Sequence, residues 1–118
     1  LFINLFHRNC SELAYIIIIK IKTMSLIDVL KGGNYYLIDV REPMELEMDG
    51  NIERAQNIPL GEIDERKDEI LAIEQPVVLF CRSGNRSGKA LEYLTSVGLK
   101  GGYNGGGWAE LKETLENL

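Results

Sequence analysis

Cys81 ends the apolar run Val77–Phe80 and is followed by Arg82, Ser83, Gly84, Asn85, Arg86 and Ser87 before a helical pattern begins at Gly88. Consecutive apolar residues of this kind suit a buried strand, and GKALEYLTSV (88–97) has its apolar residues at helical spacing. The thiol therefore belongs at a strand-to-helix turn. A free cysteine is mostly protonated at neutral pH, but the positive end of a helix and nearby guanidinium groups favour the thiolate, which is the nucleophile. Arg82 and Arg86 supply those guanidiniums. Ser83, Gly84 and Asn85 are short or flexible enough for the backbone to curl and turn successive N–H groups inward, making an anion-binding nest. The expected chemistry is nucleophilic attack by sulfur, with an anion held in the loop.

Spacing separates two anion chemistries. Cysteine phosphatases set five residues between the nucleophilic Cys and the anion-binding Arg, because their loop encircles a tetrahedral phosphate. Here Ser83 and its neighbours place four between Cys81 and Arg86. A loop one residue tighter suits a single extra sulfur atom on the cysteine better than a phosphoryl group. The loop also holds no carboxylic acid to protonate a leaving alkoxide, which argues against a phosphatase or arsenate reductase.

CRSGNRS (81–87) resembles the active-site loop of the rhodanese-like sulfurtransferases. LIDVREPMELE (37–47) is similar to their first conserved block, AQNIPLGEI (55–63) to the segment that follows, and GYNGGGWAEL (102–111) to their closing Gly-rich turn and helix. Four blocks in the right order cover residues 24–118. The resemblance implies that the Cys81 thiolate attacks the outer sulfur of a donor such as thiosulfate, that sulfite leaves, and that cyanide or a thiol then takes the sulfur from a Cys81 persulfide. This is covalent catalysis in two half-reactions. The backbone N–H groups from Arg82 to Ser87 would stabilise the persulfide, with Arg86 and Arg82 steering an anionic donor. No metal or organic cofactor is implied. The partners implied are a small-molecule sulfur donor and acceptor, with a protein sulfur acceptor left open; the alternative reading is a protein-to-protein relay or binding module with poor thiosulfate turnover. Two positions depart from the family pattern: Asn51 stands where members carry His, and Arg54 where they carry Gly. The expectation at Arg54 is a positive φ that glycine would adopt more readily.

A length of 118 residues suits one domain, and the formal net charge of −5 argues against a nucleic-acid-binding surface. Residues 1–23 hold three Lys/Arg and one Asp/Glu, so the rest carries ten against seventeen, a net −7. Two arginines in so acidic a body suggest a locally positive site. Cys10 and Cys81, far apart, make no disulfide framework, which favours a reducing, cytoplasmic setting. His7, Cys10 and Cys81 lack paired-ligand spacing for a metal. LAYIIIIKIK (13–22) is too short, and too interrupted by Lys20 and Lys22, to span a bilayer. Residues 1–23 are expected to be an N-terminal extension, either upstream of a true start at Met24 or an added strand.

The elements that must position the loop follow an alternating pattern from Met24. A short helix over 25–30 is closed by Gly32 and Gly33, and 35–40 reads as a buried strand. That strand delivers Asp39 and Arg41 to the edge of a parallel sheet where Cys81 lies. A helix begins near Pro43, a short strand covers 55–58, and GEIDERKDEILAI (61–73) is expected as one exposed amphipathic helix. Residues 99–103 are expected as the last strand, Gly105–Gly107 as a tight turn, and 108–118 as a closing helix with Trp108 in the core. The fold class is α/β, rhodanese-like, with a central mostly parallel sheet and helices on both faces. Asp39, Arg41 and Glu45 are read as internal charge pairs that fix the loop rather than as substrate contacts. The competing reading of Cys81 itself is an inert buried thiol at a strand end.

Overall fold

The computed structural model describes residues 24–118; the expected 1–23 extension, with His7 and Cys10, lies outside the described residues. Helix α1 (Leu26–Gly32) starts where the Ser25 hydroxyl accepts the Asp28 N–H, and stops at Gly33, whose φ of 78° is the left-handed cap a glycine supplies at low cost. Strand β1 (Tyr36–Asp39) leads into α2 (Pro43–Asp49), where proline at the first helical position fits the backbone without sacrificing a hydrogen bond. Strand β2 (Gln56–Asn57) is short. Helix α3 (Lys67–Leu71) precedes β3 (Val77–Cys81), α4 (Asn85–Ser96), β4 (Gly102–Gly107) and α5 (Trp108–Glu116).

The four strands among the described residues are all parallel, in the order β2-β1-β3-β4. Strand alternation sends β3 to two cores. Val77, Leu79 and Cys81 join Ile38, Val40, Ile63, Ile70, Ala90 and Leu94 on the face covered by α3 and α4. Val78 and Phe80 join Val29, Leu30, Leu37 and Leu111 on the face covered by α1 and α5. Helices thus lie on both faces, and β3 is buried along its whole length. Among the described residues no helix is long and apolar enough to cross a membrane.

Five expectations need correction. The 61–73 segment is not one helix: a 3-10 turn spans Leu60–Glu62, and only Lys67–Leu71 is α-helical. No apolar residue lies between Ile63 and Ile70 to hold a middle turn against the sheet, so Arg66 and Lys67 pair locally with Glu62, Glu69 and Asp64 instead. The last strand lies at Gly102–Gly107 rather than 99–103, and Gly105–Gly107 is strand, not turn. Its ladder skips one residue, pairing Leu79 with Asn104 and Phe80 with Gly106, so Gly105 is an extra residue in a bulge. Helix α4 begins at Asn85, placing Arg86 and Ser87 in its first turn. At Arg54 no positive φ is required, since no described residue other than glycine has one. Its guanidinium instead donates to Gly33 O at 3.1 Å and Tyr35 O at 2.9 Å and stacks over the Tyr35 ring at 3.9 Å, tying the end of α1 to the start of β1.

The bulge has no spare room. A Cβ at Gly105 would lie 2.9 Å from Val78 Cγ1 and 3.1 Å from Leu111 Cδ2. Gly105→Ala is expected to cost about 1–3 kcal/mol through overpacking. A lower urea midpoint with an unchanged slope would show it.

Candidate active site

Cys81 is the last residue of β3, and its side chain is 1% exposed. The chain then turns through Arg82, Ser83 and Gly84. Gly84 adopts φ 95° and serves as the cap of α4, its carbonyl accepting the Gly88 N–H at 3.0 Å. This turn folds the start of the helix back over the sulfur. The Gly84 N–H donates to Cys81 Sγ at 3.0 Å, and the fully buried Ser87 hydroxyl lies 3.4 Å from the same atom. Burial pushes the thiol up, but hydrogen bonds from the Ser87 hydroxyl and from the Ser87, Ser83 and Gly84 backbone outweigh it and bring Cys81 from 9.0 down to about 7. Backbone N–H groups of the turn and the Ser87 hydroxyl thus converge on the sulfur.

Two charge pairs brace this turn. Asp39, at the end of β1, receives Arg41 Nε at 3.0 Å and Arg41 Nη2 at 2.7 Å, both residues being almost wholly buried. Arg41 also donates to Gly50 O at 2.9 Å and lies 4.8 Å from the Trp108 ring centroid. The pair is internal, as expected, and Trp108 covers it rather than standing free as a ligand platform. Glu45 receives Arg86 in fork fashion, Nη1 to Oε2 at 2.7 Å and Nη2 to Oε1 at 2.8 Å, and also accepts the Glu42 N–H at 2.8 Å. The Arg86 hydrogen bonds come first among the causes that hold the Glu45 carboxyl at about 2, and the same contact raises Arg86. Helix α2 is thereby locked to the first turn of α4.

The structure thus brings together Cys81, Arg82, Ser83, Gly84, Asn85, Arg86 and Ser87 at the carboxyl edge of the sheet, with Asp39, Arg41 and Glu45 beside them. Arg82 is exposed and its guanidinium has no partner among the described residues. Asn51 is exposed and outside the cradle.

Sequence reasoning missed Asn104. Its Nδ2 donates to Gly84 O at 3.0 Å, while its Oδ1 accepts the Gly106 N–H at 3.0 Å and the Ser87 hydroxyl at 2.8 Å. It stitches β4 to the cradle. The only trace in the sequence is one polar amide ahead of three glycines, which points to a turn as readily as to this role.

A protein-family model described as a rhodanese-like domain matches residues 23–114. An uncharacterized Bacillus subtilis protein is 47% identical over 73 residues, covering 57% of this chain and 56% of that protein. A putative mitochondrial thiosulfate sulfurtransferase of Schizosaccharomyces pombe is 39% identical over 95 residues, covering 69% of this chain and 66% of its own length. The chain therefore spans less than two thirds of either relative. Among solved structures, a rhodanese with anions from E. coli superimposes with a TM-score of 0.58 at 32% identity, over 64% of this chain and 89% of that one.

Alkylation of Cys81 is expected to rise with pH through a midpoint near 7, because only the thiolate reacts and its folded value sits there. Ser87→Ala removes one donor to the anion and shifts that midpoint upward. A profile of rate against pH for the Cys81 peptide, resolved by mass spectrometry, checks both.

Proposed function

The chain belongs to the rhodanese-like domain family, which counts proteins named as sulfurtransferases among its members, and from this premise we propose that it moves a sulfane sulfur through a Cys81 persulfide. The observation that carries this reading is the Gly84 N–H and Ser87 hydroxyl converging on a buried Sγ whose thiol is drawn down to about 7. A donor such as thiosulfate presents its outer sulfur to the Cys81 thiolate. The Cys81 S–S bond forms as the donor's S–S bond breaks, and sulfite leaves with the electron pair. The outer sulfur of the persulfide carries the negative charge, within reach of the N–H groups of the turn. Cyanide or a thiol then attacks that outer sulfur and regenerates the Cys81 thiolate. A reducing compartment such as the cytoplasm keeps the thiol free between cycles.

Phosphoryl transfer is poorly served. Glu45 reaches the cradle through Arg86 but is held ionised at about 2, so it has no proton to give a leaving alkoxide near neutral pH.

The Glu45–Arg86 fork also favours a second reading, a protein-to-protein sulfur relay. An arginine already paired at 2.7 and 2.8 Å offers little to a free dianion, leaving Arg82 as the unpartnered guanidinium of the turn. On this reading the persulfide is loaded and unloaded by partner thiols, and thiosulfate is a weak donor.

Intact-mass spectrometry of the wild type and Cys81→Ala, before and after thiosulfate with cyanide added to half of each, tests the carrier. A gain of one sulfur atom on the wild type alone, removed by cyanide, is expected. A folded wild type that gains nothing from thiosulfate but gains sulfur from a persulfidated protein donor selects the relay; gain on Cys81→Ala removes Cys81 as carrier. Glu45→Gln, which weakens the fork, is expected to lower the KM for thiosulfate several-fold. An unchanged KM would mean that Arg86 does not bind the donor.

A further inference from the structure

The Ser87 hydroxyl has one proton and two claimants. Its Oγ stands 2.8 Å from Asn104 Oδ1 and 3.4 Å from Cys81 Sγ. The amide cannot be reversed to relieve the conflict. Asn104 Nδ2 needs the Gly84 carbonyl at 3.0 Å, and Oδ1 already accepts the Gly106 N–H at 3.0 Å, so the oxygen faces Ser87 and only accepts. While the hydroxyl proton points to Asn104, the lone pairs of Ser87 Oγ face the sulfur and suit a protonated thiol, whose S–H donates to them. A sulfur anion demands the opposite orientation, with the proton turned from Asn104 to Sγ. Both Ser87 and Cys81 are buried, so water does not stand in for either partner.

We propose that Asn104 is a positioning residue for Cys81, acting through Ser87: by competing for the hydroxyl proton it holds the cradle in the arrangement that fits a neutral thiol, and it yields the proton when the sulfur becomes an anion. The role needs no movement larger than rotation of one hydroxyl. It also places a strand residue distant in sequence in control of how readily the nucleophile forms. Among the charged groups on the bordering elements are Asp39 at the end of β1 with Arg41 beyond it, Glu45 on α2 with Arg86 on α4, Arg82 in the turn and Glu110 on α5 beside Gly107. The variants below leave all of them in place.

The inference rests on Cys81 as the reacting group but not on the identity of the sulfur donor, and a thiol titration tests it without any transfer reaction. The pH dependence of iodoacetamide alkylation is followed at the Cys81 peptide of the full chain, in wild type, Asn104→Ala, Ser87→Ala and the double variant. Thermal melting of each verifies that it is folded. Loss of the Gly84 contact in Asn104→Ala acts in both backgrounds and cancels in the comparison. With Ser87 present, Asn104→Ala is expected to move the Cys81 midpoint lower by about half to one pH unit relative to its effect in the Ser87→Ala background, the size of one hydrogen bond. The same shift in both backgrounds, or a relative shift upward, overturns the proposal. Should Asn104→Ala fail to fold, Asn104→Ser, which keeps a small polar side chain but withdraws the amide oxygen, is read against the same criterion. Absence of a thiosulfate adduct in the mass experiment would leave this result standing, so the two readings fail separately.

Discussion

A negative charge on a sulfur that water cannot reach exists only if the protein supplies the donors, and this constraint organises the carboxyl edge of the sheet. Burial alone would leave Cys81 a neutral thiol. The turn from β3 into α4 reverses that balance by folding a helix N-terminus over the sulfur, so that N–H groups with no partner inside the helix point at it. The donors come from the main chain and a buried hydroxyl, whose positions are fixed by the fold. The main-chain donors need no reorientation when charge develops, which is the physical advantage of a preorganised cradle over a mobile cation.

The charged side chains hold that turn in place. Asp39 and Arg41 pair in the buried interior where β1 ends, Gly50 O and the Trp108 ring contact the guanidinium, and Arg41 Nη1 is left buried without a hydrogen-bond partner among the described residues. Removing either partner would strand a buried charge, so the pair fixes the geometry more than it adds stability. Glu45 and Arg86 do the same nearer the surface, joining α2 to α4. The acidic chain thus pairs one of its two loop arginines internally, and the donors that reach the sulfur are the backbone N–H groups at the helix end and the Ser87 hydroxyl.

Much of this is legible in residue order. Apolar runs mark β1 and β3, Ser25 and Gly33 mark α1, Pro43 marks α2, and the Cys-to-Arg spacing with two serines and a glycine marks the nest. What escapes has no side-chain signature. Strand β4 is made of Gly102, Tyr103, Asn104 and three glycines, a composition that argues for a turn. It is a strand because β3 offers a paired edge far away in sequence, a long-range fact. The start of α4 lies three residues ahead of its apolar periodicity for a related reason, since its first turn is polar and is set by the Gly84 conformation. At Arg54 the expected backbone strain is absent because φ is not positive there, and the side chain instead donates to the Gly33 and Tyr35 carbonyls, which a glycine could not reach.

The glycines of β4 explain how a loop this tight can close. A Cβ on Gly84 would meet Gly106 Cα at 3.1 Å, and one on Gly107 would meet Arg82 O at 2.8 Å. The turn and the strand therefore touch backbone to backbone. Any residue larger than glycine at these contacts would push the turn outward and separate the N–H donors from Sγ. The radius of the cradle is set from outside the loop, by a neighbouring strand stripped of side chains, and Asn104 is the one position in that stretch where a side chain reaches back to Gly84 and Ser87. The tightness that the residue count implied is thus enforced by backbone packing between the turn and β4.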